Sequence, residues 1–355
     1  MLTKFKGKKI TGILGILPEN EYDYDEETKE FADRQTKRLK RIMGYGKRRA
    51  VKPETATSDL CIYGLNYILK NNWINKEEIG GIVVVTLTPD YFVPHVSNII
   101  QGECDLPKDV VCMDIAQGCS AYLMGLMQAF MLLEHMENKK VLVFTGDVLN
   151  RKAKTDKEMQ AQFGGDAASV TVVENDEQAK DIYFNMYSDG KDRDCLIMPA
   201  GGYRLPRSAE TAEFKDYLGD GILRCKNHIW MEGSKVFNFV QKEVPPMIEE
   251  ILQYAGVSAN DADWFLFHQP NKFMMEKLAD KMQVPYEKMP MNIVGEFGNS
   301  SGSTIPINIT YNVANDLLEN ERVCCLSGFG SGLTWSSALV HLGKLHFCEL
   351  VTSTC

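Results

Sequence analysis

Hydrophobic residues fall along the chain in short unbroken runs, separated by glycine, proline and clusters of charge. IGGIVVVTLTP (79–89), VVCMDIA (110–116), KKVLVFTGDV (139–148) and AASVTVVE (167–174) are apolar at consecutive positions. A strand with one wet face would alternate, so these runs predict strands of a sheet covered on both sides. Residues 119–136, CSAYLMGLMQAFMLLEHM, predict a strongly apolar helix. At the start, KFKGKK precedes ITGILGIL. That run is too short to span a bilayer, meets Pro18-Glu19 and shows no small-residue cleavage site, so it predicts a first buried strand. No other stretch suggests a transmembrane segment.

Residues 175–232 are more polar, with DGKDRD, GGYRLP and ETAEFKDYLGDG. They predict an excursion of loops and short helices. Residues 234–257 predict a helical stretch interrupted at Pro245-Pro246. The order of the first half then returns. ADWFLFHQP (262–270) matches 79–89. Residues 288–319 match 110–134 as a strand, a glycine-containing turn and a helix, and 322–342 match the strand pair at 140–174. The expected fold is α/β, built from two duplicated halves: 1–175, an inserted segment 176–232, and 233–355. On this register Cys119 and Asn299-Ser300 occupy equivalent turns, and His268 ends the strand equivalent to 82–88. Two halves packed face to face would bring all of these to one centre.

A chain of 355 residues suits two domains or one large duplicated unit. The net charge of −9 argues against a nucleic-acid binder, since a phosphate backbone wants a basic face. The 10 cysteines form no Cys-x-x-Cys pair and no zinc spacing with histidine, which predicts reduced, mostly buried thiols in a cytoplasmic protein and no metal.

One cysteine stands apart. Cys119 follows Gln117-Gly118 where a strand turns into a helix. A helix N-terminus favours the thiolate. A histidine can accept a thiol proton or donate to a carbonyl, and a side-chain amide can supply a second donor to the same oxygen. Cys119, His268 and Asn299 meet those needs. Each also has a plain structural alternative: a core cysteine, a hydrogen-bonded strand-end histidine, and a turn or N-cap asparagine. The glycines Gly328, Gly330 and Gly332 lack the GxGxxG spacing and precede TWSSALV, a strand pattern. They fit a tight turn that brings backbone N–H groups close to a substrate.

The ordered set of phrases is more specific than any member: ILPEN (16–20), GYGKRR (44–49), DIAQGCSAYLMGL (114–126), FTGDV (144–148), FGGDAASV (163–170), MEGSKVFNFV (231–240), FHQPN (267–271), GEFGNSSGSTIPI (295–307) and GFGSGLTWSSALV (328–340). Together they resemble the β-ketoacyl-acyl-carrier-protein synthase III family of thiolase-like condensing enzymes. The resemblance implies a five-layered αβαβα fold. It implies that Cys119 is acylated and that His268 and Asn299 stabilise the enolate of a decarboxylating malonyl thioester. The N–H of Cys119 and one from Gly330-Ser331-Gly332 would form an oxyanion hole, with Phe329 near the nucleophile. No bound cofactor is implied; acyl-coenzyme A or the phosphopantetheine of an acyl carrier protein would be the substrates. A homodimer is implied as well, with TPDYFVPH (88–95) reaching a partner's acyl pocket and Phe92 and Val93 near that interface.

The chain departs from the family pattern at the substrate mouth. A Trp-x-x-x-Arg pair that grips coenzyme A is replaced by Arg38 and Ile42, a nucleotide-site arginine by Lys157, a carrier-docking arginine by Phe273 beside Lys272, and an oxyanion-loop glycine by Ser331. The run Lys37, Arg38, Lys40, Arg41, Lys47, Arg48, Arg49 and Lys52 would steer an acidic carrier protein. It would equally be a solvated face paired with Asp23, Asp25, Glu26 and Glu27. Two other functions stay open: acyl transfer to a hydroxyl or amine without decarboxylation, and a partner subunit without catalysis. A 3-hydroxy-3-methylglutaryl synthase is weaker, for want of a phrase carrying its glutamate acid.

Overall fold

The computed structural model describes residues 1–30, 34–152, 164–219, 221 and 223–355. Two sheets face each other across a helical layer. The first runs in the order Phe347–Ser353, Lys8–Pro18, Ala167–Asn175, Lys140–Asp147, Ile79–Val85, Val111–Ile115. The second runs Leu2–Phe5, Ile182–Ser188, Thr334–Gly343, Glu321–Gly330, Trp264–Phe267. The ends of the chain are exchanged. The N-terminal strand pairs with Ile182–Ser188 in the second sheet, and the C-terminal strand pairs with Lys8–Pro18 in the first.

The layering follows from side-chain alternation along strands that are apolar on both faces. Val83, Val85, Val141 and Val143 turn inward onto the helix Ala121–Leu133. Their neighbours Ile82, Val84, Leu142 and Phe144 turn outward onto Thr57–Lys70 and Val96–Glu103. In the second sheet Leu266, Leu326, Ala338 and Val340 face the same central layer. Phe265, Phe267, Cys325 and Leu339 face the outer helices Gly233–Ala255 and Lys272–Met282. Ile305, Ile309, Val313 and Leu317 recur every fourth residue and complete the middle layer beside Ala121–Leu133. The result is the expected αβαβα sandwich.

Three local expectations fail. Pro245 and Pro246 do not interrupt their helix, which runs unbroken as Gly233–Ala255. A proline inside a helix costs about 3 kcal/mol. The stripe Val236, Val240, Val244, Met247, Ile248, Ile251 and Leu252 is buried as one face, and each such side chain returns about 1.5–3 kcal/mol. The strand expected near 288–294 is instead a 3₁₀ turn, Tyr286–Lys288, and a short helix, Ile293–Phe297. Ile293, Val294 and Phe297 are buried at helical spacing, and the Ile293 N–H donates to Gln269 Oε1 at 2.9 Å. The first sheet's edge strand Val111–Ile115 therefore has no counterpart in the second. Finally, the polar segment 176–232 contains a core strand, Ile182–Ser188. Ile182 and Phe184 face the central layer, and Tyr183 and Tyr187 face the outer one. Among the described residues, no helix is long and apolar enough to cross a membrane.

Candidate active site

Cys119 sits between the strand Val111–Ile115 and the helix Ala121–Leu133, one residue before the N-cap Ser120. The turn is fixed from within. Gly118 N–H donates to Gln117 Oε1 at 2.8 Å, and Ala121 N–H to Gly118 O at 2.7 Å. It is also clamped from the second half. A Cβ placed on Gly330 would lie 2.6 Å from Cys119 Cβ and 3.0 Å from its sulfur, and one on Gly328 would lie 2.8 Å from Ser120 Cα. The end of the strand Glu321–Gly330 thus passes directly over the cysteine, which accounts for two of the glycines in GFGSG. From Gly330 the chain then turns through Ser331 and Gly332. Leu333, the next residue, is locked by reciprocal 2.8 Å hydrogen bonds with Asp189.

His268 follows the strand Trp264–Phe267 and is 1% exposed. Its backbone N–H donates to Ser327 O at 2.8 Å, and its ring lies 5.6 Å from that of the buried Phe329. Nδ1 is 2.7 Å from Thr304 Oγ1. Burial pushes the imidazole down to about 3, so it is neutral at rest. Asn299 lies in the turn after Ile293–Phe297. Its Oδ1 accepts the Ser301 N–H at 2.9 Å and its carbonyl accepts the Gly165 N–H at 2.9 Å. With Oδ1 held in this way, the amide NH₂ is the end left to donate.

Ser301 joins the set, and nothing in the sequence reading singled it out. It is 3% exposed and holds φ +53°, an uncommon conformation for a side chain of this kind. Its N–H holds Asn299, and its carbonyl faces His268. Its hydroxyl makes no directed hydrogen bond among the described residues, yet bears on both the Cys119 thiol and the Asp147 carboxylate. Asp147 was missed too. It is 1% exposed and accepts from Leu87 N–H at 2.8 Å and from the Thr86 hydroxyl at 3.1 Å. Burial pushes it up to about 6. A carboxylate closing the apolar run VLVFTGD was the available signal.

The expectation of a thiol pKa lowered by the helix end is not met. Burial, and then the charge of Asp147, push the Cys119 thiol up to about 12. A thiol below its pKa gains about tenfold in thiolate for each pH unit. Alkylation of Cys119 by a neutral reagent, followed by mass spectrometry, is therefore expected to climb about tenfold per unit between about pH 7 and 9 without a plateau.

The remaining expected residues divide. Gly330 lies against Cys119 and Phe329 against His268, with Ser331 the next residue along the chain. Phe92 and Val93 do not line the site within this chain: they are 68% and 77% exposed, beside Tyr203, whose ring is 5.5 Å from that of Phe92. Arg38 is exposed on the helix Arg34–Met43, which leads into Gly44, packed against Lys272. Lys272 is exposed, and Phe273 stacks on Phe237 with centroids 5.5 Å apart. Lys157 lies outside the described residues. The basic run splits in two. Lys40 pairs with Asp25, Lys47 and Arg49 with Glu21, Arg48 with Glu27, and Lys52 with Glu19. Lys37, Arg38 and Arg41 have no ion-pair partner among the described residues.

The duplicated αβαβα sandwich, with a cysteine at the mouth of its central helix, is the fold of the thiolase-like condensing enzymes. Comparison with known proteins narrows this. Residues 113–190 match the family 3-oxoacyl-(acyl-carrier-protein) synthase III, and 252–342 match its C-terminal part. The chain is 30% identical to the β-ketoacyl-(acyl-carrier-protein) synthase III of a Synechocystis species, over 75% of this chain and 78% of that one. It is 29% identical to that of Clostridioides difficile, over 93% and 97%. The crystal structure of a 3-oxoacyl-(acyl-carrier protein) synthase from Burkholderia xenovorans superposes with a TM-score of 0.92 at 29% identity, covering 99% of each chain. The chain belongs to the β-ketoacyl-acyl-carrier-protein synthase III family.

Proposed function

We propose that this enzyme joins an acyl group to a malonyl unit by decarboxylative condensation. Cys119 takes the acyl group from an acyl thioester. A malonyl thioester carried by an acyl carrier protein then loses carbon dioxide, and its enolate attacks the acyl-cysteine to give a β-ketoacyl thioester, a reaction of the acyltransferase class. The observation that carries this reading is the convergence of Cys119, His268 and Asn299 on Ser301. Asn299 offers its NH₂, and once protonated on Nε2 His268 offers a second donor, to the oxygen on which enolate charge develops. The N–H groups of Cys119 and of the Gly330-Ser331-Gly332 loop serve the acyl carbonyl. These steps use only side chains, backbone and substrate thioesters, with no bound cofactor. The test is release of labelled carbon dioxide from carboxyl-labelled malonyl carrier. Release matched to β-ketoacyl product supports the reading. Acyl transfer to a hydroxyl or amine with no carbon dioxide would replace it.

Lys37, Arg38 and Arg41, without an ion-pair partner among the described residues, support an acidic carrier protein as donor in place of coenzyme A, since the aromatic half of the nucleotide grip is absent. The double substitution R38E/R41E is expected to raise KM for the acyl carrier several-fold, with little change in kcat, and the penalty is expected to shrink at high salt. Unchanged KM would remove this face from docking. The exposed Tyr91, Phe92 and Val93 support a second copy of the chain as their cover, the arrangement in which Phe92 would reach a partner's acyl pocket. Sedimentation is expected to give twice the mass of one chain, and F92E to lower it.

A further inference from the structure

The neutral His268 has one proton to place, and the choice of nitrogen decides what it can do for a substrate. Nδ1 faces an acceptor. Thr304 Oγ1 lies 2.7 Å away, and that hydroxyl's single proton is directed to Ser301 O at 2.9 Å. Ser301 O itself also faces the ring. An oxygen whose proton is already given can only accept from its next neighbour. Thr304 is fully buried, so water does not compete. Its backbone is fixed where the turn Ser301–Ser303 enters the helix Thr304–Asn308, which holds the hydroxyl in place.

We propose that Thr304 is a positioning residue that fixes His268 as the Nδ1–H tautomer and leaves the Nε2 lone pair facing the substrate. This rests on the reading of His268 as a group that meets the substrate. It assigns the order of proton movements. As the thiol of Cys119 attacks the donor thioester, its S–H bond breaks and the proton goes to Nε2, while the donor's C–S bond breaks and its thiolate takes a proton from water. Nε2–H then donates to the malonyl thioester oxygen. The C–CO₂ bond breaks, carbon dioxide leaves, and the enolate carbon bonds to the acyl carbon. Cys119 departs as thiolate and recovers its proton from Nε2. Each cycle thus takes up one proton from solvent, matching the loss of the malonyl carboxylate charge. That carboxylate, and later the enolate, sits beside the imidazolium and supplies the counter-charge that burial otherwise denies it.

The test is nitrogen-15 and proton NMR of the whole resting enzyme labelled in histidine, with His268 assigned by the signals lost in H268Q. The expected result is a protonated Nδ1 with a downfield, slowly exchanging proton, and an unprotonated Nε2. In T304V that proton is expected to move upfield and exchange faster, and Cys119 acylation to slow by about tenfold, the worth of one hydrogen bond. T304S is expected to keep both. A proton on Nε2 in the resting enzyme would overturn the proposal, as would T304V leaving both the resonance and acylation unchanged. The NMR signature needs no substrate, so it separates from the carbon dioxide assay: the tautomer can hold where condensation fails, and the reverse.

Discussion

Cys119→Ala is expected to form no acyl adduct with any thioester donor and to lose β-ketoacyl product by about three orders of magnitude or more. The methyl group fits where the thiol stood, because Gly330 lies against the Cys119 Cβ and Gly328 against its carbonyl, and neither contact needs the sulfur. The fold is therefore expected to persist, with melting within a few degrees of the parent. Asn299 and His268 are untouched by this change. Slow decarboxylation of malonyl carrier is thus expected to survive, uncoupled from condensation. Product formation at the parental rate would show that the acyl group never passes through Cys119.

Asn299→Ala is expected to separate the half-reactions. The acyl adduct on Cys119 is expected to form at close to the normal rate. Carbon dioxide release is expected to fall by about 10²–10³, the usual loss on removing one preorganised donor to a developing oxyanion. The Ser301 N–H loses its Oδ1 acceptor in this variant, so Asn299→Asp is the control. It keeps that acceptor and lacks the NH₂ donor, and it is expected to be as impaired as alanine in decarboxylation. Rapid mixing with acyl donor and then with labelled malonyl carrier reads both steps. An alanine variant slowed equally in both would place Asn299 in the architecture of the site and not in enolate stabilisation.

The layers of the fold were legible because strands buried on both faces write themselves as unbroken apolar runs, and 79–89, 139–148 and 167–174 all do so. What escaped was decided by tertiary packing. Pro245 and Pro246 read as a break, and only the buried stripe from Val236 to Leu252 shows why the helix continues. Ile182–Ser188 was hidden inside a polar segment, because Asn185 and Ser188 dilute a strand whose Ile182 and Phe184 nevertheless reach the core. The exchange of terminal strands between the two sheets has no local signature at all.

The site divides in the same way. Cys119, His268 and Asn299 stood out as residue types at loop positions following apolar runs. Ser301 and Thr304 did not, since serine and threonine in GNSSGST are ordinary turn residues. Their importance lies in backbone geometry, a left-handed φ at Ser301 and a buried hydroxyl at Thr304. The protonation of the thiol was misjudged for a related reason. A helix end was visible in the sequence, whereas the burial of the turn and the nearby Asp147 charge come from the other strands of the sandwich.

The most direct measurement is intact mass and peptide mapping of the wild-type enzyme after incubation with acyl-coenzyme A and with acyl carrier proteins of several chain lengths, before and after malonyl carrier is added. One acyl group is expected on the peptide containing Cys119, formed best from a carrier protein. Malonyl carrier is expected to discharge this group as a β-ketoacyl thioester with one carbon dioxide released. An acyl group mapped to another residue, or one on Cys119 that malonyl carrier leaves in place, would contradict this mechanism.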